Sequence, residues 1–172
     1  PHPVSPYGSS KLAGEGYCSS YYQTFGIKTV SLRFGNVYGP RSKRKSSVVA
    51  KFIRQALQGE VCEIYGDGTQ TRDFIYIDEL IKAIDSAIKF KGGGEVFQIA
   101  SGIKLTLNEL VKELKVIFEN ETGREMKIKN VEKRLCDVLR NYSDTSKAER
   151  VLGWKHNTSL SNGLQKTVRS FI

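Results

Sequence analysis

Two periodicities alternate along this chain, and that alternation limits the fold more than any single motif. Extended runs rich in β-branched and aromatic residues occur at 29–34, 61–65, 74–77 and 96–100. Helical spacing occupies the stretches between them. One helix is predicted over 6–25 and stopped by Gly26. A second covers 48–58, with apolar residues at 48, 49, 52, 53, 56 and 57, and is closed by Gly59. A third follows Asp78 as its cap, and a fourth opens on the capping box Thr106-Leu107-Asn108-Glu109 and runs to about residue 120. Further helices are expected at 147–152, stopped by Gly153-Trp154, and at 160–172, with a brief strand at 127–129. Gly92-Gly93-Gly94 reads as a flexible break ahead of a strand. Strands alternating with helices predict an α/β fold.

The 172 residues suffice for one ordinary domain, and 39% hydrophobic with 26% charged residues fits a globular protein. No apolar run approaches the ~20 residues that cross a bilayer. The first residues carry neither a basic n-region nor an apolar h-region, so a cytoplasmic protein without a membrane partner is expected. Cys18, Cys62 and Cys136 lie far apart with no CxxC, which predicts idle thiols in a reducing compartment and no metal site. The formal charge of +9 suits a phosphorylated small molecule. It is dispersed as Lys on helical stretches, so nucleic acid is not an expected partner. Lys43-Arg44-Lys45 reads as a mobile exposed loop, with phosphate binding as the alternative. Three prolines in the first six residues stand directly ahead of a motif that belongs inside a domain. A truncated, split or proteolysed chain is therefore expected.

The chemistry concentrates in a few spacings. Tyr7 and Lys11 are i and i+4, which places them on one helix face with Cβ atoms about 5–6 Å apart. A free phenol, with a pKa near ~10, is a poor base at neutral pH. A neighbouring ammonium favours phenolate, so Lys11 is expected to lower the Tyr7 pKa and let it take a proton from a hydroxyl. Ser5-Pro6 fixes the helix start just before Tyr7, with Pro at the first helical position. Asn36 follows a predicted strand at the carboxyl end, where open α/β sheets bind ligands.

In combination, Ser5-Pro6-Tyr7-Gly8-Ser9-Ser10-Lys11, Arg33-Phe34-Gly35-Asn36 and Thr71-Arg72-Asp73-Phe74 resemble the C-terminal half of the extended short-chain dehydrogenase/reductases, the NAD-dependent epimerase/dehydratase family. The resemblance runs from Ser5 to Trp154. It implies the C-terminal portion of a Rossmann-type fold with a small α/β substrate-binding lobe. Residues 1–40 and 75–105 would be the remnant of the NAD-binding domain, and 41–74 and 106–172 the nucleotide-sugar lobe. It implies Tyr7 and Lys11 as catalytic residues, with Tyr7, Lys11 and Phe34 at the NAD. Asn36, Arg72, Arg134 and Asp137 would hold the nucleotide sugar, Phe74 would lie near the sugar, and the backbone of Ile64 and Tyr65 would meet the uracil edge. Cys136 stands where the family has Gly in the pattern Arg134-Leu135-Cys136-Asp137. Asp144-Thr145-Ser146-Lys147-Ala148 and Leu152-Gly153-Trp154 match a helix cap and a buried aromatic. The implied reaction is of the UDP-glucose 4-epimerase type: oxidation at C4, rotation of the keto sugar, and re-reduction. A 4,6-dehydratase or UDP-glucuronate decarboxylase remains open, as does a non-catalytic substrate-binding or interaction lobe. The glycine-rich turn for NAD and the upstream Ser/Thr partner of the tyrosine are not in this sequence. A homodimer through the Tyr7 helix is implied, with Leu12, Tyr17, Tyr21 and Tyr22 open to serving that contact or the core.

Overall fold

The computed structural model describes residues 2–3, 5–133 and 138–172. Helix α1 spans Pro6–Phe25. The Ser5 hydroxyl accepts from the Gly8 N–H at 3.0 Å, Pro6 occupies the first turn, and Gly26 closes the helix at φ 66°. Strand β1 (Val30–Phe34) and strand β2 (Asn36–Tyr38) follow, separated only by Gly35. A Cβ at Gly35 would press on the Asp73 carbonyl at 2.9 Å and on Ala100, so this position needs glycine for close approach. Next come α2 (Val48–Leu57), β3 (Cys62–Tyr65), β4 (Thr71–Arg72), β5 (Phe74–Tyr76), α3 (Ile77–Lys89) and β6 (Glu95–Ile99). The chain ends with β7 (Leu105–Thr106), α4 (Leu107–Thr122), β8 (Ile128–Val131), α5 (Ser146–Leu152) and α6 (Leu160–Arg169).

Strands pair as β1 with β6, β2 with β5 and β3 with β8, all parallel, and β4 with β7, antiparallel. The fold is α/β, as expected. Phe74 and Tyr76 of β5 belong to one core, with Phe52, Ile53, Leu114, Phe118 and Leu164. Ile75 belongs to a second core with Leu80, Phe97, Ile99, Ala148 and Trp154. Side chains of a strand alternate between faces, so this three-residue strand serves both cores. Burial of Trp154 matches the expectation for the Leu-Gly-Trp pattern; its indole N–H donates to the Glu79 carbonyl at 3.0 Å.

The capping box at Thr106 and Glu109 is present, and Gly123 ends α4 in the left-handed conformation. Asp78 does not cap α3. Tyr76 holds that position without a side-chain bond, and Asp78 and Glu79 stand in the first turn, where their charge complements the helix dipole. Gly92-Gly93-Gly94 is less a flexible break than a crossing point. A side chain on Gly93 or Gly94 would strike the Tyr22 ring of α1.

Helix α1 contains no buried residue. It is held to β1 by the Thr29 hydroxyl, which donates to the Cys18 carbonyl at 2.6 Å, and by the Arg33–Glu15 ion pair. Gly94 N–H donates to the Thr29 carbonyl and Gly35 N–H to the Ile99 carbonyl, which turns the odd-numbered residues of β1 toward β6. The backbone groups of Val30, Leu32 and Phe34 therefore point to the other edge, where no strand pairs among the described residues.

Helix α6 approaches β2 at Gly163, where an added methyl would overlap the buried Tyr38 phenol. Gly163→Ala is expected to destabilise the chain by about 1–3 kcal/mol through overpacking. A shift in the urea midpoint with an unchanged slope checks this.

Candidate nucleotide-sugar cleft

The carboxyl ends of β1 and β2 open into a cleft of about 650 Å³. Tyr7, Phe34, Asn36, Tyr65, Arg72 and Phe74 line it together, although they come from six separate elements. Asn36 is anchored through its backbone: its N–H donates to the Asp73 carbonyl at 2.7 Å. Arg72 follows from β4, and its guanidinium donates to the Thr71 carbonyl at 2.8 Å and to the Val138 carbonyl. The Ile64 side chain is buried in the first core and does not line the cleft. Arg134 and Asp137 lie outside the described residues.

Lys11 lines a smaller neighbouring cavity of about 290 Å³, with Gly8, Leu12, Glu15 and Arg33. Its ammonium stands 5.1 Å from the Tyr7 ring centroid, a cation–π arrangement that joins the two spaces. Tyr7 is 73% exposed and Phe34 49%, so the cleft is open on the α1 side.

Several lining residues were not singled out from the sequence. Ser46, Ser47, Val48 and Val49 bring the N-terminus of α2 to the cleft. The first-turn N–H groups of a helix have no intrahelical acceptor, so this end presents donors and positive potential to an anion. Ser47 ahead of an apolar helical run was a readable start signal, but the direction in which that helix points is set by packing. Lys45, from the basic run read as an exposed loop with phosphate binding as the alternative, lines the cleft too, and the loop carrying it is fastened by Arg54, which donates to the carbonyls of Lys43 at 2.8 Å and Lys45 at 3.1 Å. Lys51 stands 5.6 Å from the Tyr65 ring centroid, and the Gln70 amide donates to the Tyr65 carbonyl at 2.9 Å.

Among the described lining residues, Lys45, Lys51 and Arg72 face a single carboxylate, Glu63. The wall is therefore cationic and suits a polyanion. Tyr38 also borders the cleft, but burial, with the nearby Glu113 and Tyr76 charges, pushes its phenol well above the usual tyrosine range. Tyr38 therefore stays a neutral phenol at ordinary pH.

The family described as NAD dependent epimerase/dehydratase matches residues 1–100. This chain belongs to that family. The chain spans about half the length of the relatives it matches. UDP-glucose 4-epimerase of Mycolicibacterium smegmatis is 33% identical over 172 residues, covering 99% of this chain and 54% of the relative. The crystal structure of UDP-glucose 4-epimerase from Thermotoga maritima with UDP-glucose superposes with a TM-score of 0.91 at 40% identity, covering 99% of this chain and 54% of that one. UDP-glucuronic acid 4-epimerase from Bacillus cereus, in complex with UDP-glucuronic acid and NAD, gives 0.87 at 34% identity, covering 99% and 53%. The fold is thus the C-terminal portion of a Rossmann-type epimerase fold with a small α/β lobe. No helix among the described residues is long and apolar enough to cross a membrane.

One ion pair beside the site gives this family member a pH signature. Arg33 donates to both Glu15 oxygens at 2.6 Å, and this hydrogen bonding holds the Glu15 carboxyl below its usual range. A depressed folded-state value adds stability above the unfolded pKa and loses it as pH falls through the folded one. The parent chain should lose stability more steeply than Glu15→Gln below about pH 4.5, read as the difference between their acid unfolding curves.

Proposed function

We propose that this chain carries the tyrosine–lysine helix and the nucleotide-sugar cleft of an NAD-dependent UDP-sugar 4-epimerase, of the UDP-glucose type. The observation that supports this best is the convergence of Tyr7, Asn36 and Arg72 on one cationic cleft, from segments far apart in sequence. In this reading Tyr7 takes the proton from the C4 hydroxyl and returns it after the sugar has turned. Lys11 orients Tyr7 and hydrogen-bonds the nicotinamide ribose. Arg72 and the α2 N-terminus receive the diphosphate, together with Arg134, while Asn36 and Phe74 face the sugar. The Tyr65 strand borders the uracil, and Asp137 meets the ribose.

The residues fit one end of NAD. Tyr7 and Phe34 line the cleft and Lys11 stands over the Tyr7 ring. The other end has no glycine cradle in this sequence, because Gly92-Gly93-Gly94 enters a strand and packs on Tyr22. NAD, when bound, supplies the hydride acceptor. The open edge of β1 and the exposed side of Tyr7 then belong against the rest of a cofactor domain, of which 1–40 and 75–105 are part. Residues 41–74 and 106–172 form the nucleotide-sugar lobe, with α5 reaching back to the second core.

Tyr17, Tyr21 and Phe25 support a homodimer through α1, because all three are exposed on a helix with no buried residue, and the Tyr21 and Phe25 rings lie 5.5 Å apart. Tyr22 faces inward against Gly93 and Gly94. A second reading, a lobe that binds nucleotide sugar without turnover, is favoured by the same exposure of Tyr7.

Calorimetric titration separates these. UDP is expected to bind the 172-residue chain saturably, and NAD weakly or not at all. Arg72→Ala should weaken UDP binding about tenfold or more, as loss of a charge-assisted bond costs about 1.5–3 kcal/mol. Epimerase turnover by this chain alone would refute the half-site reading, and absence of UDP binding would refute the cleft assignment.

A further inference from the structure

Asp73 lies in sequence between Arg72 and Phe74, two residues of the cleft wall, yet its own side chain is not in that wall. It is 2% exposed. Its Oδ1 accepts from the Ser101 N–H at 2.8 Å and the Ser101 hydroxyl at 2.6 Å. Its Oδ2 accepts from the Gly102 N–H at 3.0 Å and the Ser143 N–H at 3.2 Å. The Asp73 carbonyl holds the Asn36 N–H. One buried residue thus joins the start of β2, the turn after β6 and the segment 138–143.

That segment has little else to hold it. Val138, Leu139 and Tyr142 are 53%, 56% and 62% exposed, so apolar burial contributes little. Polar bonds along β4 and Asp73 fasten it instead. The Arg72 guanidinium donates to the Val138 carbonyl, and the Thr71 N–H donates to the Leu139 carbonyl at 2.9 Å. The Asn141 N–H donates to the Thr71 hydroxyl at 3.3 Å, and the Ser143 N–H to Asp73. A buried carboxylate is tolerated only when fully hydrogen-bonded, and a core built for stability alone would favour an apolar residue here.

We propose that Asp73 is a positioning residue for the nucleotide-sugar cleft: through its backbone it sets Asn36, and through its carboxylate it pins 138–143 beside Arg72. The inference rests on the reading of the cleft given above. Asp73 touches no substrate in it. It acts through Asn36, Arg72 and the segment that leads directly from Arg134 and Asp137.

Asparagine has the shape of aspartate but one acceptor oxygen, so Asp73→Asn turns an NH₂ group toward at least one N–H donor. Thr71→Val keeps the side-chain shape and removes only the acceptor for Asn141. Both variants of the 172-residue chain are to be compared with the parent by UDP titration, amide exchange and thermal unfolding. Asp73→Asn is expected to raise the UDP dissociation constant about tenfold and to speed exchange at Asn141 and Ser143, while amides of α4 keep their protection. Thr71→Val should do the same to a smaller degree, about threefold in UDP affinity. Uniform loss of protection with a UDP constant within twofold of the parent would make Asp73 merely structural and overturn the proposal. If Asp73→Asn does not fold, Thr71→Val decides: faster exchange at Asn141 without weaker UDP binding overturns it as well. If the parent takes up no UDP, the cleft reading fails first, and exchange at Asn141 and Ser143 still decides whether Asp73 pins the segment.

Discussion

Everything near the cleft depends on the burial of β5 on both faces. Phe74 and Tyr76 pack with α2, α4 and α6, while Ile75 packs with α3 and β6. The strand is too short to slip without exposing one of these sets, since a one-residue shift exchanges the two faces. Parallel pairing of Asn36 with Phe74 and Tyr38 with Tyr76 passes that register to β2. Arg72, immediately before this strand, and Asn36, at the start of its neighbour, are therefore placed by hydrophobic packing that neither residue makes itself.

The electrostatics of the cleft follow from the same arrangement. The wall gathers Lys45, Lys51 and Arg72 with the N-terminus of α2. Lys51 and Arg72, far apart in sequence, join the Lys43-Arg44-Lys45 run at one wall once these elements meet. The overall +9 is a poor guide to this, because many lysines pair on the surface, as Lys89 does with Asp85 and Lys155 with Glu149. Exposed pairs of that kind contribute little to stability. A cationic wall of this kind favours a polyanionic ligand.

The α1 side is different. The helix has apolar residues on more than one face, no buried residue, and a polar attachment to β1 through Glu15 and Arg33. A helix apolar on several faces is normally covered on several faces. Tyr7 inherits this openness. In the proposed reading Tyr7 acts as a base, and a phenol in that role gains from exclusion of water, which the exposed Tyr7 does not yet have here.

The sequence by itself determined the elements and the family. Ser5-Pro6 and Gly26 bound α1, the Thr106–Glu109 box starts α4, and short runs rich in β-branched and aromatic residues locate β1, β3 and β6, because caps and composition are properties of neighbouring residues. The motif residues Tyr7, Asn36 and Arg72 were legible for the same reason, each carried by a local pattern. Only the tertiary structure decided the short ladders β2, β4 and β7, which have two or three residues each and no period to read. It alone turned the α2 N-terminus, Lys45 and Lys51 toward the cleft, and it alone made Asp73 a junction for Ser101, Gly102 and Ser143. Those contacts join residues up to 70 positions apart, and their partners are chosen by how two cores pack against one strand, which no local pattern encodes.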